Sequence, residues 1–403
     1  MNTPPIGAPS GLPPGADRVL AARPEFFALE RAEEHLALGK HELLHAGPPL
    51  ADPAAPCTPI LNSAIAACLL EGWADTPDQA RTLVRDGKIR FRPAQDLGCV
   101  VPLADVLSAS MWVQIVRDAT ALKSVACSPL NAGAVAAMRV GVWEDSVLVQ
   151  LRWLRDTLGP VLRAALTEPL PLIHLADHGL AEGDDCHGKT AAASAALAAL
   201  LHARLTGPDA NACRNFLAQS AGFFLNLWMA ASRCMLSAAV PSADSSLVTA
   251  AGGNGTYFGI QVAGAPGRWF VVPAAAPEMP GTAPDSAAMS LGAIGDSAIV
   301  DLLGFGAMTT LAPALQQPAG FVALWPDEQD MPRTVLLAEH PAFGRTAARV
   351  LVDARQVAAS GRRPIVSLGV LDATGHQGRL GGGFYRTPSA IFEKAVAGLA
   401  ADA

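Results

Sequence analysis

The sequence predicts a multidomain α/β (α+β) chain, with two glycine-rich α/β domains on either side of a mainly helical segment. Three observations carry this. The 403 residues, at roughly 150 per domain, make two or three domains. Short apolar runs bounded by glycine and proline alternate with stretches of helical period, the pattern of layered strands and helices. From Lys189 to Val240 the signal is almost purely helical and rich in Ala and Leu. The expected boundaries are a flexible tail over 1–17, an N-terminal α/β domain over 18–168, the helical segment over 169–241 and a glycine-rich α/β domain over 242–403.

After a proline-rich opening, Phe26 to Leu44 reads as helix, ended by Gly47-Pro48-Pro49. Residues 60–72 form an apolar helix. An amphipathic one starts at the Thr76-Pro77 cap, runs to Val84 and stops at Asp86-Gly87. Lys88 to Arg92, Cys99 to Pro102 and Trp112 to Val116 read as short strands. Leu148 to Leu166 is a helix, with Leu151, Leu154, Leu158 and Leu162 at helical spacing and Pro160 as an interruption. Beyond Pro241, the runs Ser246–Ala250, Gly259–Ala263 and Trp269–Pro273 read as strands between glycine-rich turns. Gly292 to Pro313 places glycines around an apolar stretch. Arg349–Val352 and Pro364–Val370 have the apolar character of buried strands, and Gly381-Gly382-Gly383 precedes a last helix, Ser389–Leu399.

Composition narrows the function. Hydrophobic residues make 51% and charged residues 16% of the chain, enough apolar surface for sizeable cores. Lys plus Arg number 29 against 36 Asp plus Glu, a net charge of −7. That excludes a nucleic-acid coat or a polybasic membrane binder, which need surplus cations for phosphates. Mean hydropathy is +0.29, yet the most apolar windows, Ala191–Leu201 and Phe223–Ala231, are too short to cross ~30 Å of hydrocarbon. The seven cysteines are scattered without a CxxC pair, against a disulfide framework or thiolate zinc site. No signal peptide is evident. A soluble cytoplasmic protein is expected.

Two pattern matches invite chemistry. His41-Glu42-Leu43-Leu44-His45 fits HExxH, which needs an uninterrupted helix to set both histidines on one metal; the Ala46-Gly47-Pro48-Pro49 turn breaks it immediately. Gly183 to Thr190 fits GxxxxGK[ST], with Leu172–Ala176 as a candidate preceding strand. Adjacent Asp184 and Asp185 would repel phosphate oxygens inside such a loop. Ala218-Gln219-Ser220-Ala221-Gly222 lacks the first glycine of a nucleophile elbow, and no GxGxxG follows a strand. There remain four glycine-flanked polar clusters: Gly183–His187, Gly253–Thr256, Ile294–Ser297, and Gly375–Gly378 before Gly381–Gly383. Singly each is an ordinary turn. Together they suit a small-ligand site, since glycines let backbone donors approach an anion.

In order and spacing these blocks resemble the AllG-type (YlbE-like) oxamate carbamoyltransferase subunit family, long catalogued as a domain of unknown function. The matching stretches are Leu44–Pro49, Glu71–Ala74, Leu151–Arg155, Gly183–His187, Phe223–Leu227, Asn254–Thr256, Phe258–Ile260, Ile294–Ile299, Ala312-Pro313 and Pro364–Lys394. The resemblance covers most of residues 43–400. It makes both pattern matches incidental: the family carries a His-Ala-Gly-Pro-Pro turn at the first and a Gly-Asp-acid-x-His-x-basic segment at the second, with arginine usual where Lys189 stands. The chain departs from it too. A histidine run is replaced around Gln95, Gly253 stands where arginine is usual, and Asp372 stands where a histidine is expected.

What the resemblance implies is carbamoyl transfer between a small N-carbamoyl (ureido) acid such as oxalurate and phosphate, in purine or allantoin catabolism. Such chemistry needs oxyanion donors, a cationic grip and a proton shuttle. On this reading His187, Asn254 and Asp296 are catalytic. Lys189, Gly255, Thr256, Arg268, Ser297, His376, Gln377, Arg386 and His45 bind the anionic substrate. Asp184 and Asp185 could hold a divalent cation, the one cofactor considered. The implied partners are an FdrA-like subunit and a third protein, with a homo-oligomer expected and neither nucleic acid nor membrane. A non-catalytic partner subunit and a stand-alone ureido-acid amidohydrolase are the alternatives. A catalytic protein should gather Asn254, Asp296 and His187 around one pocket; a scaffold should scatter them.

Overall fold

A computed structural model describes residues 11–120, 124–131, 137–240, 242–280, 289–310, 328 and 330–401. The stretches 1–10, which hold most of the expected tail, and 312–313 lie outside the described residues. The chain has an α+β fold of helices and mixed or antiparallel sheets. Helix α1 (Ala16–Ala21) is fixed to the body, because Arg18 donates from Nε to the Ala238 carbonyl at 2.6 Å and from Nη2 to that of Ala239 at 2.8 Å.

The helix expected over Phe26–Leu44 is a correction. That segment is strand β1 (Pro24–Arg31), a short helix α2 (Ala32–Leu36) and strand β2 (Glu42–His45). A register irregularity between Phe26 and Ala28 lets Phe26 and Leu29 both reach the core, which mimics helical spacing on a strand. Helices α3 (Thr58–Leu70) and α4 (Pro77–Arg85) follow expectation, and the Thr76 hydroxyl caps α4 by accepting from the Gln79 N–H.

Strands β3 (Arg90–Pro93) and β4 (Val106–Leu107) flank β2, one parallel and one antiparallel. Cys99, expected in a strand, makes only an isolated bridge to Cys127. Strands β5 (Trp112–Asp118) and β6 (Val125–Pro129) extend β1 into an antiparallel sheet of order β6-β5-β1-β7, where β7 is Leu170–Pro171.

The helix expected over Leu148–Leu166 is α5 (Asp145–Trp153), a π-turn (Leu154–Leu158) and α6 (Gly159–Ala165). The Arg155 carbonyl accepts from Trp112 Nε1 at 2.7 Å, so the wide turn serves a tertiary contact. Leu172–Ala176, considered as a strand, lies in helix α7 (Leu172–Ala181). The loop after it is therefore no P-loop, which must follow a strand. Helices α8 (Ala191–His202), α9 (Ala210–Gln219) and α10 (Phe223–Ser237) complete the central segment.

Strands β8 (Val248–Asn254), β9 (Tyr257–Val262), β10 (Phe270–Pro273) and β11 (Ile294–Gly295) form an antiparallel sheet of order β10-β9-β8-β11. Helix α11 (Ala298–Leu303) leaves β11 directly. After α12 (Met331–Val335) come the pair β12 (Leu336–Glu339) and β13 (Arg349–Val352), helix α13 (Ala354–Ser360), and the pair β14 (Ile365–Leu371) and β15 (Arg379–Arg386). Gly381–Gly383 sit inside β15, and α14 (Ser389–Ala401) closes the chain. Among the described residues no helix is long and apolar enough to cross a membrane.

The apolar side chains gather in three cores. In the largest, fully buried Trp228 of α10 stacks on Phe224 and meets Phe305 and Phe343 edge-on. Its Nε1 has no hydrogen-bond partner among the described residues, so its contribution is packing. Trp228→Ala is expected to cost about 3–5 kcal/mol in urea unfolding, and Trp228→Phe markedly less. Equal losses would contradict a packing role.

Candidate functional site

A cavity of about 540 Å³ opens where three regions meet. The N-terminal part supplies Asn131 and Arg139, the central helices supply residues 185–191 and 219–226, and the C-terminal part supplies Ser297, Ser367–Gly369 and Arg379–Phe384.

The loop between α7 and α8 is shaped by its own aspartates. Asp185 Oδ1 accepts from the N–H groups of His187 (2.7 Å) and Lys189 (2.9 Å). Asp184 Oδ2 accepts from the Ala193 N–H at 2.9 Å, capping the first turn of α8. One oxygen of each carboxylate is thus held by backbone donors, while Asp184 Oδ1 is buried with no partner among the described residues. Among the described residues no group of three or more His, Cys, Asp or Glu side chains is arranged to hold a metal ion.

That loop presents His187 to the cavity. Its Nδ1 is hydrogen-bonded to Asp301 Oδ2 of α11, leaving Nε2 for a ligand. Asp301 is fully buried, and its Oδ1 accepts from the N–H groups of Ala307 (2.8 Å) and Ser367 (2.9 Å). Burial disfavours the imidazolium, but the Asp301 carboxylate outweighs it and holds His187 above its ordinary value. Burial likewise raises Asp301 against the pull of His187. Both groups therefore hold a proton to higher pH than they would in water. Gly306 makes room for it. At φ +57° a Cβ there would lie 2.4 Å from Asp301 Oδ1 and 2.9 Å from His187 Cβ.

Two helix N-termini flank the same cavity. Ala221, just before α10, accepts at its carbonyl from Thr190 Oγ1 (3.1 Å) and Ser194 Oγ (2.8 Å) of the α8 start, and Ser194 Oγ accepts from the Phe224 N–H at 3.1 Å. The helix starts are thereby fastened side by side. The N–H groups of Ala191, Ala221 and Gly222, all lining the cavity, have no acceptor among the described residues. Such N–H groups and the aligned helix dipoles favour an anion. Lys189, Arg139 and Arg379 add cationic side chains to the walls, although Lys189 Nζ also donates to the Gly183 carbonyl at 2.9 Å.

Of the residues expected to act on substrate, the structure brings His187, Lys189 and Ser297 together on this cavity, with Asp185. Asn254, Asp296 and His187 do not surround one pocket. Asn254, fully buried, donates to the Pro48 carbonyl at 2.9 Å and accepts from the N–H groups of Thr256 and Tyr257. Gly255 takes the positive-φ position of that turn (+84°), and Thr256 is exposed. Asp296 is also fully buried and accepts from the Gly47 N–H (2.8 Å), the Val101 N–H (2.9 Å) and Gln95 Nε2 (2.6 Å). Burial pushes its carboxyl up to about 7 despite these donors.

The remaining candidates lie elsewhere. His376 and Gln377 donate from their N–H groups to Asp372 in the β14–β15 loop. Arg268 lies over the Phe270 ring. Arg386 lines a separate cavity of about 200 Å³ with Arg363 and Glu278. His45 is buried against Phe91 in β2, and burial lowers it to about 4, so it carries no charge for an anion. Sequence reasoning missed Asp301, Arg139, Arg379, Asn131 and Asn226. Asp301 alone left a trace, as the one charge in the apolar run Ala298–Leu303.

A family described as oxamate carbamoyltransferase subunit AllG matches residues 89–297. Oxamate carbamoyltransferase subunit AllG of Escherichia coli (strain K12) is 31% identical over 95% of this chain and 96% of its own length. The chain belongs to the AllG family. A second relative, the uncharacterized protein YahG of Escherichia coli (strain K12), is 29% identical over 95% of this chain and 84% of its own length. The crystal structure of a conserved protein of unknown function from Enterococcus faecalis V583 superposes with a TM-score of 0.87 at 26% identity, covering 96% of each chain. The family match takes in the loop that carries His187, both helix starts and Ser297; Asp301, Ser367 and Arg379 of the AllG-family cavity lie beyond it.

Because Gly306 leaves no room for a Cβ, Gly306→Ala should displace Asp301 or His187 and lower stability by more than about 1 kcal/mol. Thermal unfolding checks this. The nearby Gly344, with open space around it, serves as the control for a tolerated alanine.

Proposed function

We propose that this chain is the carbamoyl-transfer subunit of a multisubunit enzyme, and that the 540 Å³ cavity is where a small N-carbamoyl acid such as oxalurate exchanges its carbamoyl group with phosphate. The observation that carries this reading is the convergence of two fastened helix N-termini, three cationic side chains and the His187–Asp301 pair on one cavity. Phosphate would lie against the N–H groups of Ala191, Ala221 and Gly222, with Lys189, Arg139 and Arg379 neutralising it and the substrate carboxylate.

In the transfer, a phosphate oxygen attacks the carbamoyl carbon, the bond from that carbon to the amide nitrogen breaks, and His187 Nε2 delivers a proton to the departing nitrogen. The products are carbamoyl phosphate and oxamate, and the same imidazole takes the proton back in the reverse direction. Asp301 is a positioning residue that fixes the ring's tautomer. Asn254, Gly255, Thr256 and Asp296 receive no chemical part here. The side chains of Asn254 and Asp296 are engaged by the scaffold.

The name of the Escherichia coli relative makes that protein a subunit, which supports a partner for this chain, of the FdrA-like kind with a third protein. A non-catalytic partner subunit is the second reading, favoured by the structural use of Asn254 and Asp296. The two separate on one assay, carbamoyl phosphate formation from oxalurate and phosphate, run with the chain alone and with its FdrA-like partner. Product is expected from the complex, and His187→Gln should lower its rate about a hundredfold or more. An unchanged rate would favour the non-catalytic reading.

Because Asp301 raises His187, the imidazolium persists below the folded-state pKa and is lost as pH rises through it. Sulfate, whose charge is constant over that range, should therefore bind progressively more weakly as pH rises past neutrality. Titration calorimetry of wild type against His187→Gln checks this. A pH-independent wild-type affinity would remove His187 from the anion site.

A further inference from the structure

We infer that Asn226 selects the carbamoyl group itself, by accepting a hydrogen bond from its N–H; this rests on the carbamoyl-transfer reading above. Asn226 lies in the Phe223–Leu227 stretch at the start of α10, is 5% exposed and lines the same cavity as His187. Its Nδ2 donates to the backbone carbonyls of Asn131 at 2.9 Å and Pro129 at 3.3 Å, and to Asn131 Oδ1.

Backbone carbonyls accept and never donate, so these contacts permit one orientation of the Asn226 amide. The same rule operates one step further back. Asn131 Oδ1 accepts from Asn226 Nδ2, which turns Asn131 Nδ2 towards Asp105 Oδ2. Orientation thus runs from the two backbone carbonyls through Asn226 to Asn131. Asn226 Oδ1, the remaining polar atom of that amide, has no partner among the described residues.

A side chain fixed in this way offers a ligand an acceptor and nothing else. A carbamoyl group carries N–H donors, whereas an acetyl group of nearly the same shape places a methyl there. The methyl would leave a mostly buried oxygen without a partner, and polar sites discriminate strongly against ligands that do this.

Carbamoyl phosphate and acetyl phosphate differ in just this exchange of NH2 for CH3. The test is calorimetric titration of the full chain with freshly prepared carbamoyl phosphate, acetyl phosphate and inorganic phosphate. Wild type should prefer carbamoyl over acetyl phosphate by about tenfold or more, and Asn226→Ala should shrink that preference to about threefold or less. Equal wild-type affinities, or a preference that survives Asn226→Ala, would overturn the role of Asn226. Should that variant fail to fold, the wild-type ligand comparison decides alone. Phosphate binding without discrimination overturns only this inference; no binding of any of the three overturns the anion-site reading and this inference with it.

Discussion

The Asp296 carboxylate is the constraint on which the rest of the arrangement hangs. It lies at the junction of β11 and α11, fully buried, and gathers donors from the Gly47 turn, from Gln95 and from Val101. Gln95 also pairs through its side-chain amide with the backbone of Ala251 in β8. One carboxylate therefore joins the N-terminal sheets to the C-terminal one. Leaving these donors unsatisfied inside the protein would cost about 1–3 kcal/mol each. The helix that departs from this junction carries Asp301 five residues on, and Asp301 orients His187. Position passes from the Asp296 carboxylate to the Asp301–His187 pair along a single short helix.

The cavity's electrostatics run against those of the molecule. The chain carries a net charge of −7, yet three cationic side chains and two helix N-termini face one space. The acidic residues nearest to it are each held by local partners. Asp184 and Asp185 satisfy backbone N–H groups of their own loop, and Asp301 faces His187. The loop could keep its aspartates because their charge serves turn formation rather than the ligand.

Much of the fold was legible in the sequence, and the reasons for the gaps are physical. Amphipathic and capped helices such as Pro77–Arg85 were read closely, because period and cap are local. Phe26–Leu44 was misread because a bulge and good helix formers imitate a helix, and pairing of β1 with β5 overrides that local preference. Of the site, the His187 loop and Ser297 were legible as glycine-flanked polar clusters. Asn254 was legible as a motif, and the structure shows it stapling a turn; a side chain that does so and one that binds a ligand favour the same residue types. Arg139 and Arg379 left no local signal, because their nearness is created only by the packing of distant segments.

That the cavity draws its walls from three regions gives any occupant a mechanical part. A molecule bound there would act as a rivet between segments that already share the largest core. Its binding energy then joins the folding free energy of the whole chain, adding about 2.7 kcal/mol at a hundredfold excess over the dissociation constant. Metabolite supply thereby becomes a determinant of how long the protein survives proteolysis, and starvation for the ligand would thin its numbers before it slowed its turnover.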